Sequence, residues 1–540
     1  MGIVSAIPEK CKRCYACVRE CPARAIKVEQ GQALVLEDRC IACGNCVKVC
    51  TQNAKRILDN TQEVWQLLAD ANPVFACLAP SFPAAFHEDD PGSVIAAVRR
   101  LGFAEVWNVG FGAELVAREY TRLYGDVKHA AGRVIATPCP ALVAYVEKYL
   151  PSLRASLAPI VSPMIAAARA IRHRHGSDVR VVFIGPCIAK KNEIRDPFVA
   201  NAVDSVLTFK ELSMMFDAKS IDPGALAPEE FDSPPCLVGG AFPISGGLLR
   251  TAEVTPDVLD NDIVVAEGKD RALVALTDAA EGSSQARFLD LLFCEGCISG
   301  PKMLNELGLY ARKELLARYV NEQRQRVQRE DYLRGMEEFR ALELGRSFTA
   351  QDLELPQPTE EEIMVALLDM HKFEQEDHLD CGACGYPTCR AKAIAVCQGL
   401  AEPSMCLPYM IDELEDACEQ LQAYHRDLEA AQQRLVQSER LASMGQLSAG
   451  VAHELNNPLG TVLIYSHMLL RHMKEGDASR ADIEMIVGEA TRCKNIVRGL
   501  LDFARQSRVT KSEADLAQII REVAAIMAKE DVDGALVGGA

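Results

Sequence analysis

The sequence predicts a multidomain α/β and α protein, in which small cysteine-rich modules accompany one larger alternating domain and a helical hairpin. The chain of 540 residues is too long for one hydrophobic core. Ten of its 21 cysteines stand at C-x2-C spacing, which is typical of metal sites. The β-rich runs "RVIAT" and "VRVVFIG" each end at a cysteine-bearing loop and alternate with helical patterns, as in an α/β domain.

The composition excludes several classes of function. Apolar residues make up 49% of the chain and charged residues 25%, as in ordinary globular proteins. A formal charge of −18 argues against binding to nucleic acid or to an anionic membrane. No apolar run reaches the roughly eighteen residues of a spanning helix, and no export leader is recognisable. We therefore expect a cytoplasmic protein without membrane contact, whose clustered thiols bind metal in a reducing compartment.

Residues 1–58 contain the pattern C-x2-C-x2-C-x3-C twice. This repeat resembles the bacterial two-cluster ferredoxins, in which the fourth cysteine of each run ligates the other cluster. The resemblance implies two 4Fe-4S clusters, one held by Cys11, Cys14, Cys17 and Cys50, and the other by Cys40, Cys43, Cys46 and Cys21. The alternating segment "AIKVEQGQALVLED" predicts a hairpin between the two runs. The alternative is a zinc ribbon, which needs two ligand pairs and not eight thiols.

Residues 70–310 contain, in this order, the motifs "LAPSFPAAF", "TPCPALVAYVEKYLP", "GPCIAKKNEI", "AFPISGGLLRTAEV" and "FCEGCISGP". In these motifs and in their order the segment resembles the catalytic domain of FeFe hydrogenases. The resemblance implies a 4Fe-4S cube, with the last cysteine also bridging to a diiron centre, and the matching cysteines are Cys139, Cys187, Cys294 and Cys297. Lys190 and Glu193 complete the loop "PCxxKxxE", whose lysine donates to a cyanide ligand of the diiron unit in the family. The alternative is that these cysteines are buried core thiols.

Three departures from the family pattern bear on activity. Pro138 stands where the family has a cysteine that donates a proton to the diiron centre, and proline has no ionisable group. Cys294 and Cys297 are spaced C-x2-C, where the family has C-x3-C. Gly185 and Leu292 match the positions of two flanking methionines. We therefore expect the cube, leave the diiron centre open, and expect no rapid hydrogen turnover.

Two segments connect this domain to the rest of the chain. Residues 311–374 are rich in Glu, Arg and Leu and predict charged, solvated helices, with a new helix capped near Thr359. Residues 375–410 contain "CGACGYPTC", which resembles the small 4Fe-4S module of corrinoid and electron-transfer proteins. That resemblance implies four cluster ligands, namely Cys381, Cys384, Cys389 and Cys406. A zinc site with four cysteines is the alternative.

Residues 411–440 show a heptad pattern. Leu414, Leu421, Leu428 and Leu435 recur every seven residues on an otherwise charged segment. Such a stripe predicts a coiled coil, although a single long packed helix would give the same pattern.

Residues 441–508 carry "LASMGQLSAGVAHELNNPLG", which resembles the dimerisation and phosphoacceptor domain of sensor histidine kinases. The resemblance implies phosphorylation of His453, with Glu454 holding or taking its proton and Asn457 positioning phosphate or water. A second amphipathic run follows, with an apolar stripe of Ile483, Val487, Ala490, Ile496, Leu500 and Phe503. Two such hairpins would form a four-helix bundle, so we expect a homodimer.

Residues 509–540 resemble only the beginning of the ATP-binding domain that such kinases carry. They contain no D-x-G-x-G motif and no asparagine-rich helix. We therefore expect ATP to be held by a domain outside this sequence, either in a longer version of the chain or in another protein. Kinase activity of this chain by itself stays open.

The order of these modules leads to a functional hypothesis. We expect a sensor of redox state or hydrogen, in which cluster state controls phosphorylation of His453. Its expected partners are a response regulator and an electron donor or acceptor protein or a hydrogenase. Two alternatives are a working FeFe hydrogenase with a helical assembly tail, and an electron carrier or phosphotransfer scaffold without kinase activity.

Overall fold

The computed structural model describes residues 2–129, 132–255, 262–353, 355–474, 477–505, 515–521 and 523–524. The chain divides into two compact units, Met1–Ile411 and Asp412–Ala540. Most of the tail 509–540 lies outside the described residues, so its predicted relation to an ATP-binding domain stays a prediction. Among the described residues, no helix combines the length and apolar character needed to cross a membrane.

The first part of unit one is a small domain with two two-stranded sheets, which we call the head. Strands β1 and β4 pair antiparallel, and β2 and β3 form the hairpin that the alternating pattern predicts. The first two cysteines of each C-x2-C-x2-C group lie on a loop and the third lies in a short helix, Cys17 in α1 and Cys46 in α2. The elements are β1 (Val4–Ala6), α1 (Ala16–Arg19), β2 (Ile26–Glu29), β3 (Gln32–Val35), α2 (Asn45–Lys48) and β4 (Lys55–Ile57).

The middle of unit one is an α/β domain built on a four-stranded parallel sheet in the order β6-β5-β8-β9. Its strands are buried along almost their whole length, as expected for a parallel sheet covered by helices. The elements are α3 (Thr61–Ala69), β5 (Val74–Leu78), α4 (Phe82–Ala85), α5 (Pro91–Arg100), β6 (Glu105–Asn108), α6 (Val109–His129), β7 (Val134–Ile135), α7 (Pro140–Tyr149), α8 (Pro163–His175), β8 (Arg180–Gly185), α9 (Lys190–Glu193), β9 (Ser205–Thr208) and α10 (Phe209–Lys219).

A second parallel sheet, in the order β10-β11-β7, completes this domain. It adds α11 (Gly247–Thr251), β10 (Ile263–Glu267), α12 (Lys269–Glu281) and β11 (Phe288–Leu292). Strands β7, β8 and β11 are each followed by a cysteine-bearing loop, as the sequence predicts. In α/β proteins such loops at the carboxyl ends of strands form the functional site.

The charged segment after the α/β domain differs from the expected solvated surface. Helices α13 (Leu309–Arg326) and α14 (Arg329–Glu338) are present, but Phe339 is completely buried and Arg346 is 8% exposed. The chain then follows the α/β domain, where the amide of Gln351 donates to the Glu147 carbonyl. We call residues 339–353 the strap, because they pack along the α/β domain.

The small module closes unit one. Helix α15 (Glu360–Leu368) begins at the predicted cap, where Thr359 and Glu362 form a reciprocal capping box. Helix α16 (Cys389–Cys397) begins at one of the predicted ligands. Helix α17 (Leu407–His472) starts directly after Cys406 and continues into the second unit.

The second unit is a helical hairpin of α17 and α18 (Arg480–Arg505). The leucine stripe of α17 is exposed within this single chain, with Leu421 70% and Leu435 68% exposed. In α18, Ala490 and Val497 are buried, whereas Ile496 is 64% and Leu500 47% exposed. The predicted stripe is therefore split between an inner face and an open face, and the side chain of Phe503 lies outside the described residues.

Candidate functional site

One set of head cysteines surrounds a common cavity. Its lining includes all four thiols of the predicted crossed-over set, with apolar neighbours such as Val4 and Ile41. The four cysteines come from both repeats, since Cys21 belongs to the first and Cys40, Cys43 and Cys46 belong to the second. The amide of Ala25 donates to Cys21 Sγ at 3.2 Å, and that of Ala42 to Cys40 Sγ at 3.4 Å. Amide donors of this kind stabilise thiolate charge on a cluster.

Electrostatics in this cavity favour a cationic centre. Burial raises the pKa of Cys21 to about 11 and that of Cys46 to about 12, and neighbouring thiols add to both shifts. Four neighbouring thiols, of which Cys46 is buried and the others are half-buried, repel one another as thiolates and need bound positive charge before they ionise together. Iron supplies that charge, so the donor set fits the implied 4Fe-4S group.

The second head set also lies together. Burial raises the pKa of Cys17, and Cys11, Cys14 and Cys50 contribute to the shift as neighbouring charges. The amide of Ala54 donates to Cys50 Sγ at 3.2 Å. Cys14 is exposed, so this set is the more open of the two.

The α/β domain brings the thiols of three loops together. Cys139 begins α7, Cys187 follows β8, and Cys294 and Cys297 follow β11. Burial raises the pKa of Cys187 to about 11 and that of Cys294 to about 12, with Cys139 among the causes of both shifts. Burial also raises the pKa of Cys297 strongly, and the other three thiols add to that shift. The four predicted cube ligands are thus mutual neighbours in a buried environment.

A mostly apolar cavity lies beside these thiols. Cys187 and Cys297 form part of its wall, together with Pro138, Lys190 and Leu292. Lys190 is 7% exposed and its Nζ lies 2.7 Å from Glu193 Oε2 and 3.5 Å from the Pro138 carbonyl oxygen. This arrangement gives the cavity one buried cation next to a predicted cluster ligand, which fits an anionic or strongly polar ligand.

Three polar residues around this cavity were missed by the sequence analysis. Ser81 is completely buried, and its hydroxyl is without a hydrogen-bond partner among the described residues. Asp290 also lines the cavity, and burial raises its pKa from 3.8 to about 7. Arg346 of the strap donates to Glu193 Oε1 at 3.3 Å and to Asp196 Oδ2 at 2.5 Å. Of these three residues, only Asp290 could have been noticed in the sequence, because its charge interrupts the apolar run "FLDLL".

The small module encloses its own cavity. All four predicted thiols line it, namely Cys381, Cys384, Cys389 and Cys406. Lys392 lies in the same wall and is almost fully buried; burial lowers its pKa, and the nearby thiols oppose that shift. Its Nζ donates to the Pro403 carbonyl at 3.0 Å. A buried cation beside four thiols fits a cluster whose thiolates carry net negative charge.

The spacing of the thiols bears on the kind of metal centre. Across the described parts of the chain, no group of three or more His, Cys, Asp or Glu side chains converges closely enough to hold one metal ion. In a 4Fe-4S cube each thiolate binds a different iron, so its ligands lie further apart than those of one zinc ion. Each set of four cysteines has the number of thiolates that a 4Fe-4S cube takes, and a zinc site with four cysteines would take the same number.

The predicted phosphoacceptor residues lie on α17. His453, Glu454 and Asn457 are all exposed, while Ala452 beside them is completely buried against the hairpin. An apolar groove between α17 and α18 is lined by Leu455, Pro458, Leu459, Val462, Cys493, Ile496 and Val497. An exposed imidazole on a packed helix is accessible to another protein domain, as a phosphoacceptor must be.

Sequence profiles of four families match the chain. They are described as 4Fe-4S dicluster domain (residues 3–51), Iron only hydrogenase large subunit, C-terminal domain (residues 72–301), Putative Fe-S cluster (residues 377–408) and His Kinase A (phospho-acceptor) domain (residues 443–508). Each match falls on the segment for which the sequence analysis expects the corresponding module.

Curated relatives match separate parts of the chain. The NADP-reducing hydrogenase subunit HndD of Solidesulfovibrio fructosivorans is 33% identical over 248 residues, which are 39% of this chain and 42% of that protein. The sensor kinase CckA of Brucella abortus is 31% identical over 100 residues, 18% of this chain and 11% of that protein. The sensor histidine kinase RegB of Cereibacter sphaeroides is 34% identical over 95 residues, 18% of this chain and 20% of that protein. The chain thus spans less than half of each.

Solved structures of FeFe-hydrogenases also align with the chain. The FeFe-hydrogenase HydA(deltaEFG) aligns with a TM-score of 0.45 at 20% sequence identity, over 55% of this chain and 100% of the other. An FeFe-hydrogenase from Chlamydomonas reinhardtii aligns with the same TM-score at 21% identity and the same coverage.

Proposed function

Because this chain joins a hydrogenase-like iron–sulfur region to a histidine-kinase phosphoacceptor domain, we propose that it is a signal-transducing iron–sulfur protein of the histidine kinase type. In this function the redox state of the clusters, or hydrogen acting through them, controls phosphorylation of His453. The observation that carries the proposal is the continuity of α17. The helix begins at Leu407, next to the module ligand Cys406, and contains His453.

The cluster ligands belong to the same proposal. Each ferredoxin-type set, the cube set of the α/β domain and the small-module set would hold one 4Fe-4S cluster through four thiolates, and the cavity beside Cys297 and Lys190 would take a diiron unit. Bound there, these groups supply one-electron chemistry and, at the diiron unit, a place for hydrogen. The chain's own residues orient and shield them: Lys190 faces the cavity as a cation, and apolar walls exclude water.

The phosphoacceptor step uses residues of α17. The neutral imidazole of His453 would attack the γ-phosphorus of ATP held by an ATP-binding domain. The N–P bond forms while the bond to the ADP oxygen breaks, and Glu454 takes the ring proton. Asn457 lies one helical turn from His453 and would position the phosphoryl group or water.

A homodimer and a response regulator are the proposed partners. The exposed leucines of α17 and the open face with Ile496 and Leu500 would be covered by a second copy of the chain, as a coiled coil and a four-helix bundle. A response regulator would then accept the phosphoryl group from His453. The cytoplasm, where thiols stay reduced, is the proposed location.

Phosphorylation under controlled redox conditions tests this function. Full-length protein would be reconstituted anaerobically and supplied with the isolated ATP-binding domain of a histidine kinase and labelled ATP. We expect labelling of the oxidised and the reduced protein to differ, and His453→Gln to abolish it. His467→Gln is the matched control, because His467 is also exposed on α17 and should leave labelling unchanged. Equal labelling in both redox states would refute the proposal.

A further inference from the structure

The head makes close contact with the α/β domain. Lys48 Nζ donates to the Ser299 carbonyl at 3.0 Å, and Lys269 Nζ lies 2.9 Å from Glu20 Oε2. Gly44, which follows Cys43, closely approaches Ile188, which follows the cube cysteine Cys187: a Cβ atom at Gly44 would lie 3.1 Å from Ile188 Cδ1. The Cys294 thiol also adds to the raised pKa of Cys43. The inner head site, formed by Cys21, Cys40, Cys43 and Cys46, therefore neighbours the cube site.

The head also makes contact with the small module. Arg19 Nη2 donates to the Gly382 carbonyl at 3.1 Å, and the amide of Val28 donates to the Leu400 carbonyl at 3.0 Å. Glu402 accepts from two further amides of the head hairpin, at Gln30 (2.6 Å) and Gly31 (2.9 Å). The module is thus held by hydrogen bonds on both sides of its cysteine cavity.

The closest approach lies at the module's cysteine loop. Gly385 follows Cys384, and a Cβ atom at this position would lie 3.2 Å from Val18 Cβ and 3.3 Å from the Tyr15 carbonyl oxygen. A glycine with a φ of +92° permits this close backbone approach. Because Val18 lies between the head ligands Cys17 and Cys21, the two cysteine loops are directly apposed.

Tyr386 packs in the same core as thiols of both sites. It is 7% exposed, and it shares one buried core with Cys384 and with the flanking Cys21. Burial raises its pKa to about 12, and both Cys384 and Cys21 add to the shift, so both thiols lie near its ring. The inner head site consequently neighbours the small module as well as the cube site.

We propose that the inner head site is a branch in the electron path, which delivers electrons both to the α/β domain through Cys43 and Cys294 and to the small module through Cys21, Tyr386 and Cys384. This inference rests on the cluster assignments of the proposed function and goes beyond it by naming the route. The small module would then report the redox state of the head, and the α/β domain would exchange electrons with it through the inner head cluster.

Each step of the path moves one electron. A reduced, low-potential one-electron carrier, an iron–sulfur protein in the cell, would lose one electron to the cluster that Cys11, Cys14, Cys17 and Cys50 would hold, at the exposed Cys14. The inner head thiols, the module thiols and the cube thiols would hold groups that supply one-electron chemistry, each losing the one electron that the next gains. No bond is made or broken and no proton is required.

Electron paramagnetic resonance of the full-length reconstituted protein tests the branch. Two paramagnetic clusters that are close neighbours broaden or split each other's signals. In fully reduced protein we expect the module cluster to be coupled to the inner head cluster. We expect Gly385→Ala to weaken that coupling, because the added methyl must displace the loop from Val18. Gly399→Ala is the matched control, since Gly399 also has a positive φ (+68°) but a Cβ there meets nothing within 4 Å.

Two measurements distinguish a loss of clusters from a failure of the branch itself. Iron content shows whether Gly385→Ala keeps its clusters, and freeze-quenched samples after addition of limiting dithionite show the order in which clusters are reduced. Coupling that persists unchanged in Gly385→Ala, or module reduction before the inner head cluster, would overturn the branch. Neither measurement involves His453. The branch can therefore be wrong while redox-controlled phosphorylation is confirmed, and redox-controlled phosphorylation can be wrong while the branch is confirmed.

Discussion

Lys190, in the wall of the cavity beside Cys297, forms a buried ion pair with Glu193, with Nζ 2.7 Å from Oε2. Arg346 of the strap, 153 residues further along the chain, binds the second oxygen of the same carboxylate at 3.3 Å. One carboxylate therefore connects a cavity-facing cation to the segment that leads toward the small module. A change of charge in the cavity would therefore alter the electrostatic interaction between Glu193 and Arg346 of the strap.

The first prediction compares two adjacent lysines. Lys190 faces the cavity, whereas Lys191 is equally buried but pairs with Glu211 at 2.7 Å. Each substitution to methionine removes one partner of a buried pair, which costs about 3–5 kcal/mol. After maturation with a diiron unit, we expect Lys190→Met to lose the infrared bands of bound CO and cyanide and Lys191→Met to retain them. Retention of the bands by both variants would show that Lys190 holds nothing in the cavity.

The second prediction concerns Pro138. A cysteine at this position would place an ionisable thiol in the cavity wall, and general acids of this kind contribute roughly 10²–10⁴-fold to rate. We therefore expect Pro138→Cys to evolve hydrogen from reduced dye roughly 10²-fold faster than the natural protein after diiron maturation. Pro163→Cys is the control, because Pro163 lines the same cavity. High turnover by the natural protein would contradict our interpretation of Pro138.

The third prediction concerns the pH dependence that Asp290 causes. Burial raises its pKa to about 7, so the folded protein keeps a proton that the unfolded chain releases above about pH 4. The buried carboxyl therefore destabilises the fold increasingly as pH rises from about 4 to 7. We expect the stability advantage of Asp290→Asn over the natural protein to grow by about 2 kcal/mol between about pH 5.5 and 8.5. If the advantage of Asp290→Asn in thermal unfolding is the same at every pH, the inferred burial of the Asp290 carboxyl is wrong.

The fourth prediction tests the proposed coiled coil. Leu421 is 70% exposed within one chain and would be buried in the dimer, whereas Gln420 beside it lies outside the leucine stripe. Leu421→Glu would place like charges in the seam, and we expect it to weaken dimerisation by about tenfold, or about 1.4 kcal/mol. Gln420→Glu adds the same charge and should leave the dimer unchanged in sedimentation. If both variants dimerise like the natural protein, α17 is a single packed helix.

The sequence indicates which thiols form a set, but it gives no sign of the long-range polar contacts. Cys381, Cys384 and Cys389 come from one local loop, and their spacing is itself the metal-site pattern. The pairing of Arg346 with Glu193 leaves no such pattern, since the two residues are distant in the chain. The charged composition of residues 311–374 therefore indicated only solvated helices.

The helical hairpin shows a second limit of prediction from the sequence. Both Ile496 and Val497 are apolar, and the sequence pattern assigned Ile496 to the packed face, whereas the structure buries Val497. In a bundle of two hairpins each helix has one face against its own hairpin and another toward the partner. A broad apolar stripe cannot distinguish these faces without the second helix in place.

The most direct test of redox signalling is to poise the reconstituted dimer at a series of potentials and measure two quantities in each sample. These are the phosphorylation of His453, with an ATP-binding domain supplied, and the paramagnetic signal of the small-module cluster. We predict that both change over the same range of potential, and that Cys381→Ser, which removes a module ligand, makes phosphorylation independent of potential. Phosphorylation that stays constant while every cluster passes from oxidised to reduced would contradict the account.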